Sequence, residues 1–351
     1  MPKVSYISPS SKPSGGSTRP RSSVVYRVKN WSSYEEGLKQ RGSLTVWFSP
    51  EAISAWRYQG PLQRGAQFYY SDLAIETALT LRLVYHLPLR QTEGFVESIL
   101  QLMDLDVSAP DHSTLSRRHG GLDIALPQRS VDEPIHMVVD SSGLKVYGEG
   151  EWKVRQHGWS SRRTWRKLHL GLNEATGEIV AQTLTPNNID DAAQIEPLLE
   201  QIDDAVNALG GDGAYDKRKV FEALADPEKG RPIQPIIAPR KDAKIQQHGN
   251  CKAPPLARDE TIRAIREKGR KRWKQQSGYH RRSLAETQMF RYKQIIGDKL
   301  RARTLANQKV ESRIGCAMLN KMTLFIQNHF YPTFLKVDGS SKGVGNALIF
   351  C

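Results

Sequence analysis

The sequence has few cysteines, and no two of them have the spacing of a zinc site or a disulfide framework. The three are Cys251, Cys316 and Cys351, which is typical of a reducing compartment. There is no run of about 18 apolar residues of the kind that spans a bilayer, and no apolar signal core at the N-terminus. We therefore expect a cytoplasmic protein with no membrane partner.

Acidic residues are outnumbered by basic ones. The chain has 51 Lys and Arg against 37 Asp and Glu, a formal net charge of +14, which favours a polyanionic partner such as nucleic acid. Most of this excess lies between residues 262 and 303, where fourteen Lys and Arg accompany three acids. Residues 152–169 add six cations interleaved with tryptophans, a pattern that suits DNA. A generically basic protein remains the alternative.

The first third of the chain has the pattern of helices. Residues 1–25 are rich in Ser, Pro and Gly, contain no acid and are predicted to be a disordered basic tail. In residues 26–128, Ser71 and Asp111 have the position of N-caps, each followed by a helical stretch. Helix, short turn and capped helix predict an all-α, helix-turn-helix-like DNA-binding region, although three-helix packing is common without DNA.

Residues 129–332 are predicted to form an α/β domain with a mixed sheet. A β-branched run from Ile135 ends on Asp140, and a second short strand leads into Asp212, which lies between glycines that permit a close backbone approach. Strand and helix patterns alternate afterwards, interrupted by a basic insertion at about 240–278. Residues 333–351 are small and polar and are predicted to be a loose tail.

A helix predicted from Tyr279 to Lys293 carries two different faces. At 100° per residue, Arg282, Glu286 and Lys293 share one face with Tyr279. The adjacent face carries a stripe of core-facing residues: Ala285, Met289, Tyr292 and Ile296. A surface Glu paired with cations is the simpler interpretation of Glu286.

Three acids, Asp140, Asp212 and Glu286, are the candidate catalytic and metal-ligating residues. Strand ends and a covering helix can bring distant carboxylates together, although an Asp that only caps a turn is an alternative for Asp140. Such a group needs cations, and hard oxygen ligands suit Mg²⁺. Two Mg²⁺ ions, for which Mn²⁺ can substitute, serve in-line phosphoryl transfer. The other acids of the same half of the chain are interpreted as solvated: Asp190, Asp191, Asp203 and Asp204.

The sequence resembles the DDE transposases of bacterial insertion sequences, specifically the insertion sequence 5 family. The resemblance is carried by the segments around Asp140, Trp165–Leu170 and Asp212–Asp216, and by a Tyr-Arg-Glu-Lys signature. That signature matches at every spacing: Tyr279, Arg282, Glu286 and Lys293. The resemblance covers about residues 29–330, and the two terminal segments are unlike the family.

The resemblance implies an RNase H-like catalytic core with a two-metal triad of Asp140, Asp212 and Glu286. It implies DNA contacts by Tyr279, Arg282 and Lys293. Its partners would be double-stranded DNA, as terminal inverted repeats and as target, and further copies of the chain on paired ends, at the bacterial nucleoid. A catalytically inactive transposase acting as a repressor and an RNase H-type nuclease are the alternatives.

Overall fold

The computed structural model describes residues 50–61, 64–65, 67–129, 133–146, 165–226, 232–247 and 255–328, with four isolated positions before residue 50. The predicted tails at 1–25 and 333–351 lie outside the described residues, as does most of the segment 152–169. Within the described part, no helix combines the length and apolar character that crossing a membrane requires.

Short helices make up the described part of the N-terminal region. They are α1 (Pro50–Ser54), α2 (Asp72–Val84), α3 (Leu89–Leu102) and α4 (His112–Arg118). Both predicted caps are confirmed. The Ser71 hydroxyl accepts a hydrogen bond from the Ala74 amide at 3.1 Å, and the Asp111 carboxylate accepts from the Ser113 and Thr114 amides at 2.9 and 3.0 Å. Each cap satisfies amides that have no partner inside the helix.

A mixed sheet follows, as predicted. Its strands are β1 (Ile135–Val146), β2 (Trp165–Asn173), β3 (Ile179–Pro186), β4 (Val206–Gly211), β5 (Gln234–Ile237) and β6 (Lys299–Leu300). The order is β3-β2-β1-β4-β5, with β6 beside the far end of β1. β2 is antiparallel to β1 and β3, whereas β4, β5 and β6 run parallel to their neighbours. This mixed α/β arrangement fits an RNase H-like core.

The prediction that the first strand ends on Asp140 is wrong. β1 continues to Val146 because β2 pairs with it without a break from Met137 to Lys145. On its other edge β1 pairs with β4 only up to Val138, and with β6 from Lys145 onward. Asp140 therefore lies in mid-strand, just beyond the last β1–β4 pair, where this edge of β1 is open.

Helices cover both faces of the sheet. On one face α5 (Ile195–Leu199) and α6 (Arg218–Leu224) pack against Met137 and Val139. On the other, α9 (Ser283–Ile295) and α10 (Leu305–Asn328) pack against Val138 and Leu144. This second core continues without interruption into the N-terminal region, which contributes Ile75 and Leu79 from α2 and Trp56 from the segment after α1. The helical region and the sheet share one core, and a functional boundary near residue 128 stays a prediction.

The basic insertion is ordered where it is described. It contains α7 (Ala257–Lys268) and α8 (Arg270–Gln276), and Trp273 of α8 packs into a small cluster with Ala208 of β4 and Ile236 of β5. The sequence indicated only a break in pattern here. The insertion therefore lies against the same end of the sheet that carries Asp212.

Candidate active site

The fold places Asp140 within reach of the charges of both Asp212 and Glu286. Asp140 lies at the open edge of β1, and Asp212 follows the last residue of the neighbouring strand β4. Glu286 lies in the first turn of α9, the helix that packs over β1. Because β1 and β4 are parallel, Asp140, just beyond the last β1–β4 pair, and Asp212, just after β4, lie toward the same side of the sheet.

The pKa of Asp140 reflects its burial and its charged neighbours. It is raised from 3.8 to about 6, first by burial and then by the charges of Asp212 and Glu286. A hydrogen bond from the Ser141 backbone and the Arg282 guanidinium act in the opposite direction. Burial and the two nearby carboxylates together therefore outweigh the groups that favour the charged form of Asp140.

Asp212 is fixed by the turn that it begins. Its carboxylate accepts a hydrogen bond from the Ala214 amide at 2.9 Å and caps a single 3₁₀ turn, Gly213–Tyr215. The predicted need for glycine is confirmed at Gly211, where a Cβ atom would lie 2.9 Å from the Tyr215 ring. Tyr215 is buried under this turn, and burial raises the pKa of its hydroxyl.

Glu286 and Lys293 lie on the α9 face that points toward β1. The Arg282 guanidinium is 2.8 Å from the Glu286 carboxylate, and the Glu286 side chain is 52% exposed. Lys293 donates a hydrogen bond to the hydroxyl of Ser142 at 2.6 Å. Ser142 lies two residues from Asp140 and therefore on the same face of β1. The Lys293 ammonium is thus held at the rim of the carboxylate group.

Tyr279 does not share the exposed face with these residues. It is only 8% exposed, its ring centroid lies 5.8 Å from that of Trp273, and the Lys274 ammonium is 4.7 Å from it. The prediction at 100° per residue is wrong here because residues 279–282 form a 3₁₀ turn, and the α-helix begins only at Ser283. The predicted core stripe of α9 is confirmed, since Ala285, Met289, Tyr292 and Ile296 are all buried.

Two acids interpreted as solvated are ion-paired. Asp190 lies 2.6 Å from the ammonium groups of both Lys217 and Lys219, and Asp191 lies 2.9 Å from that of Lys167. Asp203 and Asp204 are exposed, as expected. Of these four acids, only Asp203 and Asp204 are suitable positions for a control substitution that should leave activity unchanged.

Sequence reasoning missed a buried acid beside the 3₁₀ turn. Glu174, in the turn between β2 and β3, is 6% exposed and contacts both Arg281 and His136. It therefore anchors the residue that precedes Arg282. No local pattern marks Glu174, because its partners come from distant parts of the chain.

The donor chemistry at this site fits a hard divalent cation. Carboxylate oxygens are the ligands that Mg²⁺ prefers, and a cation would favour the charged form of Asp140, which burial and the two nearby carboxylates disfavour. Within the described ranges, however, no three side chains of Asp, Glu, His or Cys lie close enough to hold one ion as they stand. Glu286 is engaged by Arg282.

Comparison with protein families gives two matches, each described as Transposase DDE domain. One family model matches residues 39–149 and the other residues 132–321. The second match contains all three carboxylates, and the first runs from the helical region into β1. No solved structure matches the chain.

Proposed function

The chain belongs to the DDE-domain transposase family, with a match over more than half of its length, and from this premise we propose its reaction. The protein cleaves DNA at the ends of an insertion sequence and joins the 3′-hydroxyls to target DNA. The observation that carries this proposal is the placement of Asp140 at the open edge of β1, beside the end of β4 that Asp212 follows, where the charges of Asp212 and Glu286 both act on it. Such a charge-rich carboxylate group is typical of catalytic sites.

Asp140, Asp212 and Glu286 are proposed to hold two Mg²⁺ ions. When bound, such ions stabilise the attacking and leaving oxygens of a phosphoryl transfer. The task of the chain itself is to present carboxylate oxygens, which requires Asp140 to lose its proton and Glu286 to release Arg282. Arg282 is then available to pair with a DNA phosphate, which links substrate binding to completion of the site.

Lys293 and Tyr279 are proposed to contact DNA beside Arg282. The Lys293 ammonium lies at the rim of the site, where a phosphate oxygen can replace or share the hydroxyl of Ser142. The mostly buried Tyr279 supports the Arg282 guanidinium, which lies 5.6 Å from its ring centroid. The spacing of these residues supports the assignment to the insertion sequence 5 family.

The helices α2–α4 are proposed to read the element ends in a helix-turn-helix manner, in a protein that acts as an oligomer on paired ends. Ser113, Ser116 and Arg117 are exposed on α4, where they are accessible to base edges. Since the core of this region continues under α10, the full chain is the proper test. A Ser116→Ala/Arg117→Ala variant should lose preference for element ends over random duplex, and unchanged preference would exclude α4 as the reading helix.

The direct test of the reaction uses the DNA that flanks the reading frame. A labelled duplex from each flank is incubated with the full chain, Mg²⁺ and a target plasmid. We expect a nick at a defined end followed by joining to the plasmid. A chain that binds the duplex but yields neither product would overturn the proposed reaction, and nicking without joining would indicate a plain nuclease.

A further inference from the structure

A polar cleft lies beside the turn that carries Asp212. It has a volume of about 370 Å³ and opens between that turn and the loop 239–247 of the basic insertion. Six charged residues line it: Asp216, Lys217, Arg240, Asp242, Lys244 and Arg258. Neither the proposed reaction nor the carboxylate group accounts for this cleft.

Asp216 fixes one wall of the cleft. Its side chain is 1% exposed and accepts hydrogen bonds from the Arg240 amide at 3.1 Å and from Arg258 Nε at 2.6 Å. Arg258 also donates to the Lys244 carbonyl at 3.0 Å. One buried ion pair therefore holds the loop 239–247 at two points. These bonds involve only the backbone of Arg240 and Lys244, so they do not engage the side chains of these two residues.

A second set of contacts holds the far side of the same loop. The fully buried Asp259 accepts from the amides of Gln246 and Gln247, the latter at 2.7 Å. Arg270 donates to the Pro239 carbonyl at 2.7 Å. The loop is thus held before a ligand arrives, and a ligand that binds here does not meet the entropic cost of ordering it.

The charge available to a ligand in the cleft is positive. Arg258 is engaged by Asp216, and Lys217 is shared with Asp190 at 2.6 Å. Arg240 and Lys244 are exposed, and no acid of the described segments forms an ion pair with either side chain. Asp242 is the one lining carboxylate outside the buried pair. This balance suits a single anionic group of the size of a phosphodiester.

The position of the cleft indicates which phosphate it takes. Asp216 belongs to the same turn as Asp212, and a Cβ atom on Gly213 would lie 3.5 Å from the carbonyl of Ala238, which precedes the loop. The cleft therefore adjoins the turn that carries Asp212. We propose that Arg240 and Lys244 bind a backbone phosphate of the DNA in this cleft. This phosphate is adjacent to the phosphate that undergoes reaction. This inference rests on DNA being the substrate.

The test compares two double variants of the full chain in EDTA, where cleavage is absent. Arg240→Ala/Lys244→Ala removes the two cleft cations and keeps the backbone bonds to Asp216 and Arg258. Arg266→Ala/Lys268→Ala removes the same charge from the exposed end of α7, outside the cleft. Binding to a fluorescein-labelled random duplex is measured by anisotropy across a salt series, after thermal melts have shown that both variants are folded.

We expect the cleft variant to bind about tenfold more weakly, as for a lost charge-assisted hydrogen bond. Its salt slope should fall by about one unit, the value for one phosphate contact. The α7 variant should change much less. Equal losses in the two variants would attribute the effect to general basicity, and wild-type binding by the cleft variant would exclude the contact. Either result overturns the proposal.

Two further arms separate the possible sources of the phosphate and separate this proposal from the reaction itself. If inorganic phosphate raises the melting temperature of the wild-type chain but not that of the cleft variant, while both chains bind duplex equally, the cleft is a small-anion site and the DNA assignment fails. If the wild type binds duplex through the cleft but never nicks flanking DNA in Mg²⁺, the proposed reaction fails while the cleft stands.

Discussion

Asp140 and Asp216 lie near the same end of the sheet, but their surroundings differ. Asp216 is sealed from solvent and meets a guanidinium and a backbone amide. Asp140 is half-buried and faces two further carboxylates, and the Arg282 charge and one backbone hydrogen bond do not offset burial and repulsion. The negative charge of Asp216 is balanced by its neighbours, whereas that of Asp140 is not.

This difference separates acids that hold the fold from acids that serve a reaction. A buried, fully paired carboxylate stabilises its surroundings, and removing it leaves its partner without a counter-charge. A carboxylate among like charges weakens the folded state, and it is retained where an external cation or substrate supplies the missing charge. Substitutions at the two positions should therefore have opposite effects.

The largest expected effect is on catalysis. Asp140→Asn, Asp212→Asn and Glu286→Gln each remove one charge at nearly constant size, and each should reduce nicking and joining about a thousandfold or more. The measurement is the single-turnover rate of nicking on end-bearing duplex in Mg²⁺. DNA binding should be unchanged or tighter, because one charge that repels phosphate is gone.

The control for this series is Asp203→Asn/Asp204→Asn, which changes two exposed acids of the same domain and should remain active. A triad variant that nicks at the wild-type rate would remove that residue from the reaction. Loss of activity in the control alone would show that the assay reports on something other than the three carboxylates.

The next effect concerns the compensated acid. Asp216→Asn breaks a buried ion pair and leaves Arg258 without its partner, so the free energy of unfolding should fall by roughly 3 kcal/mol. Urea denaturation measures this change. Glu222→Gln, which breaks the exposed pair with Arg218, should cost less than about 0.5 kcal/mol. Equal effects of the two substitutions would contradict the structural role of Asp216.

A smaller effect is expected at the rim of the site. Lys293→Ala and Arg282→Ala should each weaken duplex binding up to about tenfold and lower the salt slope by about one unit. Lys299→Ala, an exposed cation on β6, is the matched control. If the rim variants keep wild-type affinity, slope and cleavage, their proposed DNA contacts are wrong.

Much of the site was predictable because its signals are local. Caps at Ser71 and Asp111 and the apolar stripe of α9 depend on neighbours in the sequence, and the structure confirms each of them. The family resemblance adds the grouping of the three carboxylates, which no local pattern contains. Comparison of families supports a DDE transposase and leaves the insertion sequence 5 assignment as a prediction.

What the sequence did not predict depends on distant partners. β1 continues past Asp140 because β2 pairs with it as far as Lys145. A β-branched run in the sequence does not show how far such pairing extends. Tyr279 is buried because Trp273 packs against it and the chain there forms a 3₁₀ turn. The role of Asp216 requires Arg258, which lies in an insertion that composition alone described as basic.

The measurement that tests this account most directly is the stability of Asp140→Asn against that of the wild type as a function of pH in EDTA. Since the pKa of Asp140 is raised from 3.8 to about 6 in the folded protein, the folded state binds a proton more tightly than the unfolded state. The wild type should therefore lose stability from this group as the pH rises from about 4 to about 6.

Asp140→Asn lacks this loss and should be more stable than the wild type by about 1 kcal/mol above pH 6, after allowance for solvent screening. Its advantage should vanish near pH 4. That result, in a variant that no longer nicks DNA, would establish Asp140 as an uncompensated charge kept for the reaction. A variant that is less stable than the wild type at pH 7, or equally stable at every pH, would contradict the account.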